Sequence, residues 1–210
     1  MLLGPPASGK GTQADMLRSH FDLPSASPGA MLREEKRAGS SLGLEADRLT
    51  REGRLVSDEV INSVVRSWMD RQSGDGFVFD GYPRTLGQAA ALDEMLSFRG
   101  TPLEAALLFD ADVPTLRSRV EKRLTCLTCG STTSGDPTDA GAGKCPRCAG
   151  ELVRRADDTA ATFDVRLREY LDKTAPVGGY YRKRHLLHPV NAARPQPDVF
   201  AEVCQILNCK

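Results

Sequence analysis

The sequence carries no excess of either charge, few aromatic residues and no long apolar run. Lys plus Arg and Asp plus Glu each total 28, so the formal net charge is zero. A general coat of basic residues for nucleic acid is therefore excluded, and an anion site requires a local concentration of arginine and lysine. Apolar runs such as residues 105–109 are far too short to span a bilayer. We expect neither a nucleic-acid partner nor a membrane partner.

The first residues also lack the charged and apolar segments of a secretory signal peptide, because Leu2 and Leu3 run directly into a Gly-Pro-Pro segment. We therefore expect a cytoplasmic protein. Nothing in the sequence demands a dimer, and we expect a monomer. The three histidines, at positions 20, 185 and 188, lie outside every motif described below and are interpreted as structural or surface residues.

Short apolar segments alternate with longer amphipathic ones along the 210 residues. Capping and turn signals predict helices near residues 10–20, 28–38, 41–51, 57–72, 86–98, 114–124, 159–171 and 199–207, and strands at 1–3, 77–79, 105–109 and 186–190. Residues 130–144 are rich in Gly, Ser, Thr and Asp, which indicates a separate irregular or β-type insertion. This alternation predicts an α/β fold with a parallel sheet covered by helices on both faces.

A glycine-rich segment follows the first predicted strand and opens the first predicted helix. It reads Gly-Pro-Pro-Ala-Ser-Gly-Lys-Gly-Thr over residues 4–12. Backbone N–H groups of such a loop, with the positive end of the helix, surround a polyphosphate, and the side chain of Lys10 reaches its β and γ oxygens. The hydroxyl of Thr12 is a candidate Mg²⁺ ligand. Gly11 separates the lysine from the threonine, whereas the strict Walker pattern places Ser or Thr directly after Lys.

Asp80 ends the predicted strand at residues 77–79, where a carboxylate faces bound phosphates across the crevice at the strand ends. We predict that it holds Mg²⁺ through water molecules, because Mg²⁺ gives up its hydration shell reluctantly.

The joint pattern resembles the adenylate kinase (nucleoside monophosphate kinase) family. The loop variant with Gly11 and Gln13 is accompanied by the segment Asp-Gly-Tyr-Pro-Arg-Thr at residues 80–85, with Gln88 beyond it. Further positions match in the family's order: residues 31–33 and 53–56, Arg119, Arg123, Arg155 with Asp157 and Asp158, Arg166, and residues 174–181. The similarity covers residue 2 to about residue 190.

The resemblance implies a P-loop core with two insertions. The core comprises residues 1–26, 57–124 and 159–210. Residues 27–56 form a helical insertion that binds the nucleoside monophosphate, and residues 125–158 form a small mobile lid.

The resemblance also implies the roles of individual side chains. Residues expected to act directly on the transferred phosphoryl group are Lys10, Arg84, Arg123, Arg155 and Arg166. Residues expected to hold ATP are Gly4, Ala7, Ser8, Gly9, Lys10, Gly11, Thr12, Arg119 and Arg123. Residues expected to hold AMP and the transferred group are Ser27, Pro28, Arg33, Arg54, Val56, Gly81, Arg84, Gln88, Arg155 and Arg166. Guanidinium groups suit this role because they grip phosphate oxygens bidentately.

The cysteines form the pattern Cys126-x2-Cys129-x15-Cys145-x2-Cys148, which lies within the spacing of zinc ribbons. Four thiolates complete a tetrahedral site, so the pattern predicts a structural Zn²⁺. Two disulfides or four idle thiols are the alternatives. Segment 125–158 contains no aromatic residue, which argues against base stacking by this insertion.

Three positions depart from the family's pattern. Ala7 stands where glycine is common, which is tolerable with a negative φ. Pro28 replaces a small or hydroxyl residue near the acceptor base, and Ala30 replaces an Asp that helps to order the waters of Mg²⁺.

The function implied is reversible, Mg²⁺-dependent transfer of the ATP γ-phosphoryl group to AMP, giving two ADP. An amide at Gln88 can pair with the adjacent donor and acceptor of adenine, which favours AMP. The alternatives are a UMP or CMP kinase, a kinase homologue without turnover, or a non-catalytic nucleotide-gated zinc-ribbon binding module.

Overall fold

The structure of the chain is a computed structural model that describes residues 1–52, 55–74, 76–135, 143–156 and 158–207. Its helices are α1 (Lys10–Phe21), α2 (Pro28–Arg37), α3 (Ser41–Arg51), α4 (Asp58–Asp70), α5 (Leu86–Arg99), α6 (Val113–Glu121), α7 (Ala160–Glu169), α8 (Ala175–Arg182) and α9 (Gln196–Ile206). A single π-helical turn, Tyr170–Thr174, joins α7 to α8. Its strands are β1 (Leu2–Leu3), β2 (Ser25–Ala26), β3 (Val78–Phe79), β4 (Ala106–Asp110), β5 (Arg123–Cys126), β6 (Thr132–Ser134), β7 (Leu152–Val153) and β8 (Leu187–Asn191).

The parallel sheet has the order β2-β3-β1-β4-β8. Strand β1 pairs with β4, and β4 pairs with β8. Strand β2 pairs with β3, and a parallel bridge between Leu2 and Asp80 places β3 beside β1. All these pairings are parallel, so the carboxyl ends of the strands share one edge. This confirms the predicted α/β class.

Both faces of the sheet are buried. Successive side chains of each short strand point to opposite faces, and each face is covered by helices. Leu3 and Phe79 pack with α4, α5 and α8 in one apolar cluster. Leu2 and Val78 pack with α1 and α9 in the other. The short apolar strands are therefore buried on both sides, as a doubly covered parallel sheet requires.

A second, antiparallel sheet lies between α6 and α7 and has the order β6-β5-β7. The prediction of a helix to residue 124 was wrong at its end: α6 stops at Glu121, and Arg123 is the first residue of β5. Leu124 and Cys126 point inward from β5 and join Cys145 and Leu152 in a small apolar cluster. That alternation is a strand pattern, which explains why the helix does not continue.

Within residues 27–56, for which an acceptor-binding insertion was predicted, the described residues form α2 and α3. Ser27 occupies the N-cap position and Pro28 the first turn, as predicted, although the Ser27 side chain makes no capping hydrogen bond. Strand β2 was not predicted, since Ser25 and Ala26 lack an apolar run. In the part of the chain that the structure describes, no helix has both the length and the apolar content needed to cross a membrane.

Candidate active site

The glycine-rich loop lies at the carboxyl edge of the sheet and leads into α1. Gly4 has φ +146°, and a Cβ atom there would lie 2.3 Å from the carbonyl oxygen of Phe109, so only glycine allows this approach. Gly9, with φ +90°, is the N-cap of α1. The loop therefore brings the N-terminus of α1, with its N–H groups, to the end of the strands, which is a ready anion site.

Ala7 does not meet the condition under which alanine is readily tolerated in this loop. Its φ is +63°, not negative. A left-handed conformation costs a residue with a Cβ atom about 1–2 kcal/mol. The surrounding loop imposes it here, and Ala7 also packs against the apolar cluster of Leu116, Val120 and Phe163.

The side chain of Lys10 folds back over the loop. Its Nζ donates to the carbonyl oxygens of Gly4 (2.7 Å) and Pro5 (2.8 Å) and to Ser8 Oγ (3.1 Å). These three oxygens hold the Lys10 ammonium over the phosphate loop. The phosphate oxygens of a bound nucleotide would compete with them for its N–H donors.

The surroundings of Lys10 are strongly cationic. Burial lowers the pKa of the Lys10 ammonium to about 7; the carboxylate of Asp80 opposes this shift, and the guanidinium groups of Arg84, Arg166 and Arg123 add to it. Burial also lowers the pKa of Arg84, where Asp80 again opposes the shift and Arg155 adds to it. Arg84, Arg123 and Arg166 therefore lie within electrostatic range of Lys10, and Arg155 lies within electrostatic range of Arg84.

Asp80 directly follows β3 and faces the start of α1. Its N–H donates to the carbonyl oxygen of Ala26 (2.8 Å), and its Oδ2 lies 3.5 Å from the position of a Cβ atom at Gly11. A carboxylate that faces the phosphate loop from a strand end fits a hydrated Mg²⁺ carried by a nucleotide.

Arg84 is fixed at three atoms. Its Nε donates to the carbonyl oxygen of Gly81 (2.8 Å), its backbone N–H to Gln88 Oε1 (2.7 Å), and its carbonyl oxygen accepts from Thr174 Oγ1 (2.9 Å). Gly81 has φ +68°, and a Cβ atom there would approach the Arg84 guanidinium to 3.0 Å. Thr174, in the π-helical turn, was quoted from the sequence only as part of the matching segment 174–181; its contact with Arg84 emerges from the structure.

Gln88 is buried, with 2% exposure, and its amide is bonded on both sides. Its Oε1 accepts from the backbone of Arg84 (2.7 Å), and its Nε2 donates to Asp58 Oδ1 (2.8 Å). A primary amide has two N–H groups and two oxygen lone pairs, so each atom keeps one further bond to form. The adenine contact expected of Gln88 thus requires the side chains that cover it to move aside.

Arg123 is paired with Asp158, whose side chain is completely buried. Arg123 Nε donates to Asp158 Oδ2 at 2.7 Å, and a second bond joins Nη2 to Oδ1. Asp158 was quoted from the sequence only as part of a motif; its role in orienting Arg123 emerges from the structure.

Arg119 lies on α6. Its Nη2 donates to the carbonyl oxygen of Ala192 (2.8 Å). It lines an open cleft of about 490 Å³ together with Pro114, Thr115, Ser118, Lys122 and Ser134.

Three further residues predicted for the acceptor site, Ser27, Pro28 and Arg33, lie at the N-cap of α2 or within α2. Arg33 has an exposed side chain on α2, whereas Val56 packs against the main apolar cluster. Arg54 lies outside the described residues, as do Asp157 and Cys209.

The four paired cysteines come together beside the antiparallel sheet: Cys126 is the last residue of β5, and the other three lie outside its strands. Their Sγ atoms all lie within 4.8 Å of one another, with Cys126 to Cys148 at 3.5 Å and Cys129 to Cys145 at 3.7 Å. Tetrahedral zinc with Zn–S bonds of 2.3 Å separates its sulfur atoms by about 3.8 Å, so the cluster fits that ion. The cysteines form no disulfides. Backbone N–H groups of Cys129 and Arg147 donate to Sγ atoms, as expected for thiolate ligands.

A helix N-terminus and a buried lysine at the strand ends, with three arginines in electrostatic range of that lysine, suit the charge of a nucleotide polyphosphate. The class that this fold and site define is that of the P-loop phosphotransferases.

A family model described as adenylate kinase matches residues 2–186. Similar curated proteins include the adenylate kinase of Salinispora tropica, 40% identical over 95% of this chain and 93% of that protein, and that of Moorella thermoacetica, 40% identical over 99% and 96%. The adenylate kinase of Thermodesulfovibrio yellowstonii is 38% identical over 100% of this chain and 99% of that protein. The chain belongs to the adenylate kinase family and is a nucleoside monophosphate kinase.

Proposed function

We propose that the protein transfers the γ-phosphoryl group of MgATP reversibly to AMP, giving two ADP. The observation that supports this proposal is that Asp80, Arg84, Arg123 and Arg166 all act electrostatically on Lys10, and that Arg155 acts on Arg84. Fixed cations around a moving phosphoryl group are the main source of catalysis in this chemistry.

In the proposed step, an ionised phosphate oxygen of AMP forms the new bond to the γ-phosphorus. The bond from that phosphorus to the bridging oxygen breaks, and ADP leaves with the electron pair. No general base is needed, because the acceptor phosphate is already ionised at neutral pH. Lys10 and Arg123 stabilise the transferred group, while Arg33 and Arg84 hold the acceptor phosphate. Asp80 would hold the hydrated Mg²⁺ that comes with ATP. When bound, that ion would offset the negative charge of the ATP phosphates.

The acceptor binds against residues 27–56, where Ser27, Pro28 and Val56 line its site. The donor binds at the phosphate loop and beside Arg119, whose cleft accommodates the far end of ATP. Residues 125–158 form a lid that excludes water, which would otherwise take the phosphoryl group. One Zn²⁺ held by Cys126, Cys129, Cys145 and Cys148 stabilises this lid and takes no part in bond making. We infer that the protein acts as a cytoplasmic monomer.

A coupled assay with MgATP and each of AMP, GMP, UMP and CMP tests the proposal. AMP is expected to give the highest kcat/KM, and Lys10→Ala is expected to reduce turnover roughly 10³-fold or more because it removes a cation that faces the transferred group. Equal or better use of a pyrimidine nucleotide contradicts the assignment of AMP. Retention of a tenth of the turnover by Lys10→Ala contradicts the assignment of the site.

A further inference from the structure

Asp58 connects the acceptor-binding insertion to the segment that contains Arg84 and Gln88. It is the first residue of α4, two positions after the insertion ends at residue 56. Its Oδ1 accepts from Gln88 Nε2 (2.8 Å), and its Oδ2 accepts from the hydroxyl of Thr85 (2.5 Å). Thr85 Oγ1 in turn accepts from the N–H of Gln88 and caps α5. Both carboxylate oxygens of Asp58 are therefore used by one turn of a helix nearly 30 residues away in sequence.

This contact determines which way the amide of Gln88 points. An ionised carboxylate only accepts hydrogen bonds, so it must face Nε2. The backbone N–H of Arg84 only donates, so it must face Oε1. The two partners select the same orientation of the amide, and the reverse orientation would place an oxygen against a carboxylate.

Amide orientation matters for base selection. Adenine offers an amino donor beside a ring-nitrogen acceptor, whereas hypoxanthine offers a carbonyl acceptor beside an N–H donor. An amide that is fixed one way pairs with the first pattern and opposes the second.

We propose that Asp58 is a positioning residue for acceptor specificity, which acts by fixing the orientation of the Gln88 amide. This proposal rests on the proposed function, in which Gln88 contacts the acceptor base. Asp58 itself touches neither nucleotide.

The test compares kcat/KM for AMP and for IMP in the wild type, Asp58→Asn, Gln88→Leu and the double variant. The side chain of Asn has nearly the volume of Asp, but its own amide can present either an N–H donor or an oxygen acceptor to Gln88. It therefore no longer selects one orientation of the Gln88 amide. Asp58→Asn is expected to lower the AMP-to-IMP ratio about tenfold, the scale of a hydrogen bond to a charged group. The KM for ATP should stay unchanged. Glu59→Gln is the matched control, because Glu59 is an exposed acid in the same helical turn.

In the Gln88→Leu background, Asp58→Asn is expected to change the ratio no further, since its effect passes through the amide. A loss of AMP and IMP activity by equal factors would show a purely structural role and overturn the proposal. So would an unchanged ratio in Asp58→Asn, or in Gln88→Leu. A wild type that shows no preference for AMP over the other monophosphates would contradict the proposed function itself. Melting temperatures of the variants, measured alongside, separate a loss of folding from a loss of orientation.

Discussion

Asp158 holds the guanidinium of Arg123 by two hydrogen bonds, from a side chain that is itself completely buried. A guanidinium has five N–H donors in a rigid fork, so this pair fixes the plane of Arg123 without using all of its donors. The carboxylate therefore determines the direction in which the remaining donors point.

We predict that Arg123→Ala lowers kcat roughly 10³-fold or more, because it removes a cation from the transferred group. Asp158→Asn is expected to lower kcat by about 10²-fold, the scale of a misplaced catalytic group. Steady-state kinetics with AMP and MgATP measure both effects. Asp164→Asn is the control, since it breaks the ion pair with Arg117, which is much more exposed. Equal activities of Asp158→Asn and the wild type would refute the orienting role.

We predict one Zn²⁺ per chain, and its loss in Cys145→Ser. Zinc bound by four thiolates supplies folding free energy directly, so the variant should show a destabilised lid and a lower melting temperature. Metal analysis and calorimetry measure the two quantities. Cys204→Ser is the control, because Cys204 lies on α9 and outside the cluster. Unchanged zinc content in Cys145→Ser would exclude the four-cysteine site.

Strands β1, β3, β4 and β8 of the parallel sheet and most helices could be predicted from the sequence because their signals are local. Apolar runs, a proline at position 28 and acidic residues in the first turn of α4 each act within a few residues. The cysteine spacing is equally local, and the structure brings the four sulfur atoms together as that spacing predicts.

The network around Gln88 could not be predicted in the same way. Asp58 and Gln88 meet only because α4 packs against α5, and nothing in either segment alone indicates that contact. Likewise, Thr174 reaches Arg84 from a π-helical turn 90 residues further along the chain. The local conformation of Ala7 was also missed, because the surrounding loop imposes a positive φ against the preference of the residue itself.

We predict that Ala7→Gly raises the free energy of unfolding. Relief of the left-handed strain raises the free energy of unfolding by about 1–2 kcal/mol. The greater conformational freedom of glycine in the unfolded chain lowers it by about 0.4–1 kcal/mol. Denaturant titration is expected to show a net gain of about 1 kcal/mol or less, because the lost packing of the Ala7 methyl group offsets part of the difference. Ala90→Gly, at an exposed helical position of α5, is the control and should lower the free energy of unfolding by about 1 kcal/mol. Destabilisation by both substitutions would show that Ala7 is not strained.

We predict that Thr174→Val weakens acceptor binding. The Thr174 hydroxyl donates to the carbonyl oxygen of Arg84, and valine keeps the shape but not the donor. The KM for AMP is expected to rise about fivefold, the scale of one neutral hydrogen bond, and the melting temperature should fall. Thr174→Ser restores the donor and should restore the KM. A Ser variant that behaves like the Val variant would show that packing of the methyl group matters more than the hydrogen bond.

We predict that polyphosphate binding takes up a proton at Lys10. In the absence of ligand, burial holds the pKa of Lys10 at about 7, so at pH 8.5 the amine is mostly neutral. A bound phosphate favours the charged form and raises that pKa again. At pH 8.5, ATP therefore binds together with nearly one proton, and above pH 7 the affinity for ATP falls as the pH rises. Titration calorimetry at pH 8.5, in two buffers of different ionisation enthalpy, counts the protons. The wild type should take up about one more proton than Lys10→Met, whose side chain cannot titrate. Arg84, Arg123 and Arg166 remain charged throughout this range, so they contribute equally to both counts. An identical proton count for the two proteins would show that Lys10 is already charged before the nucleotide arrives.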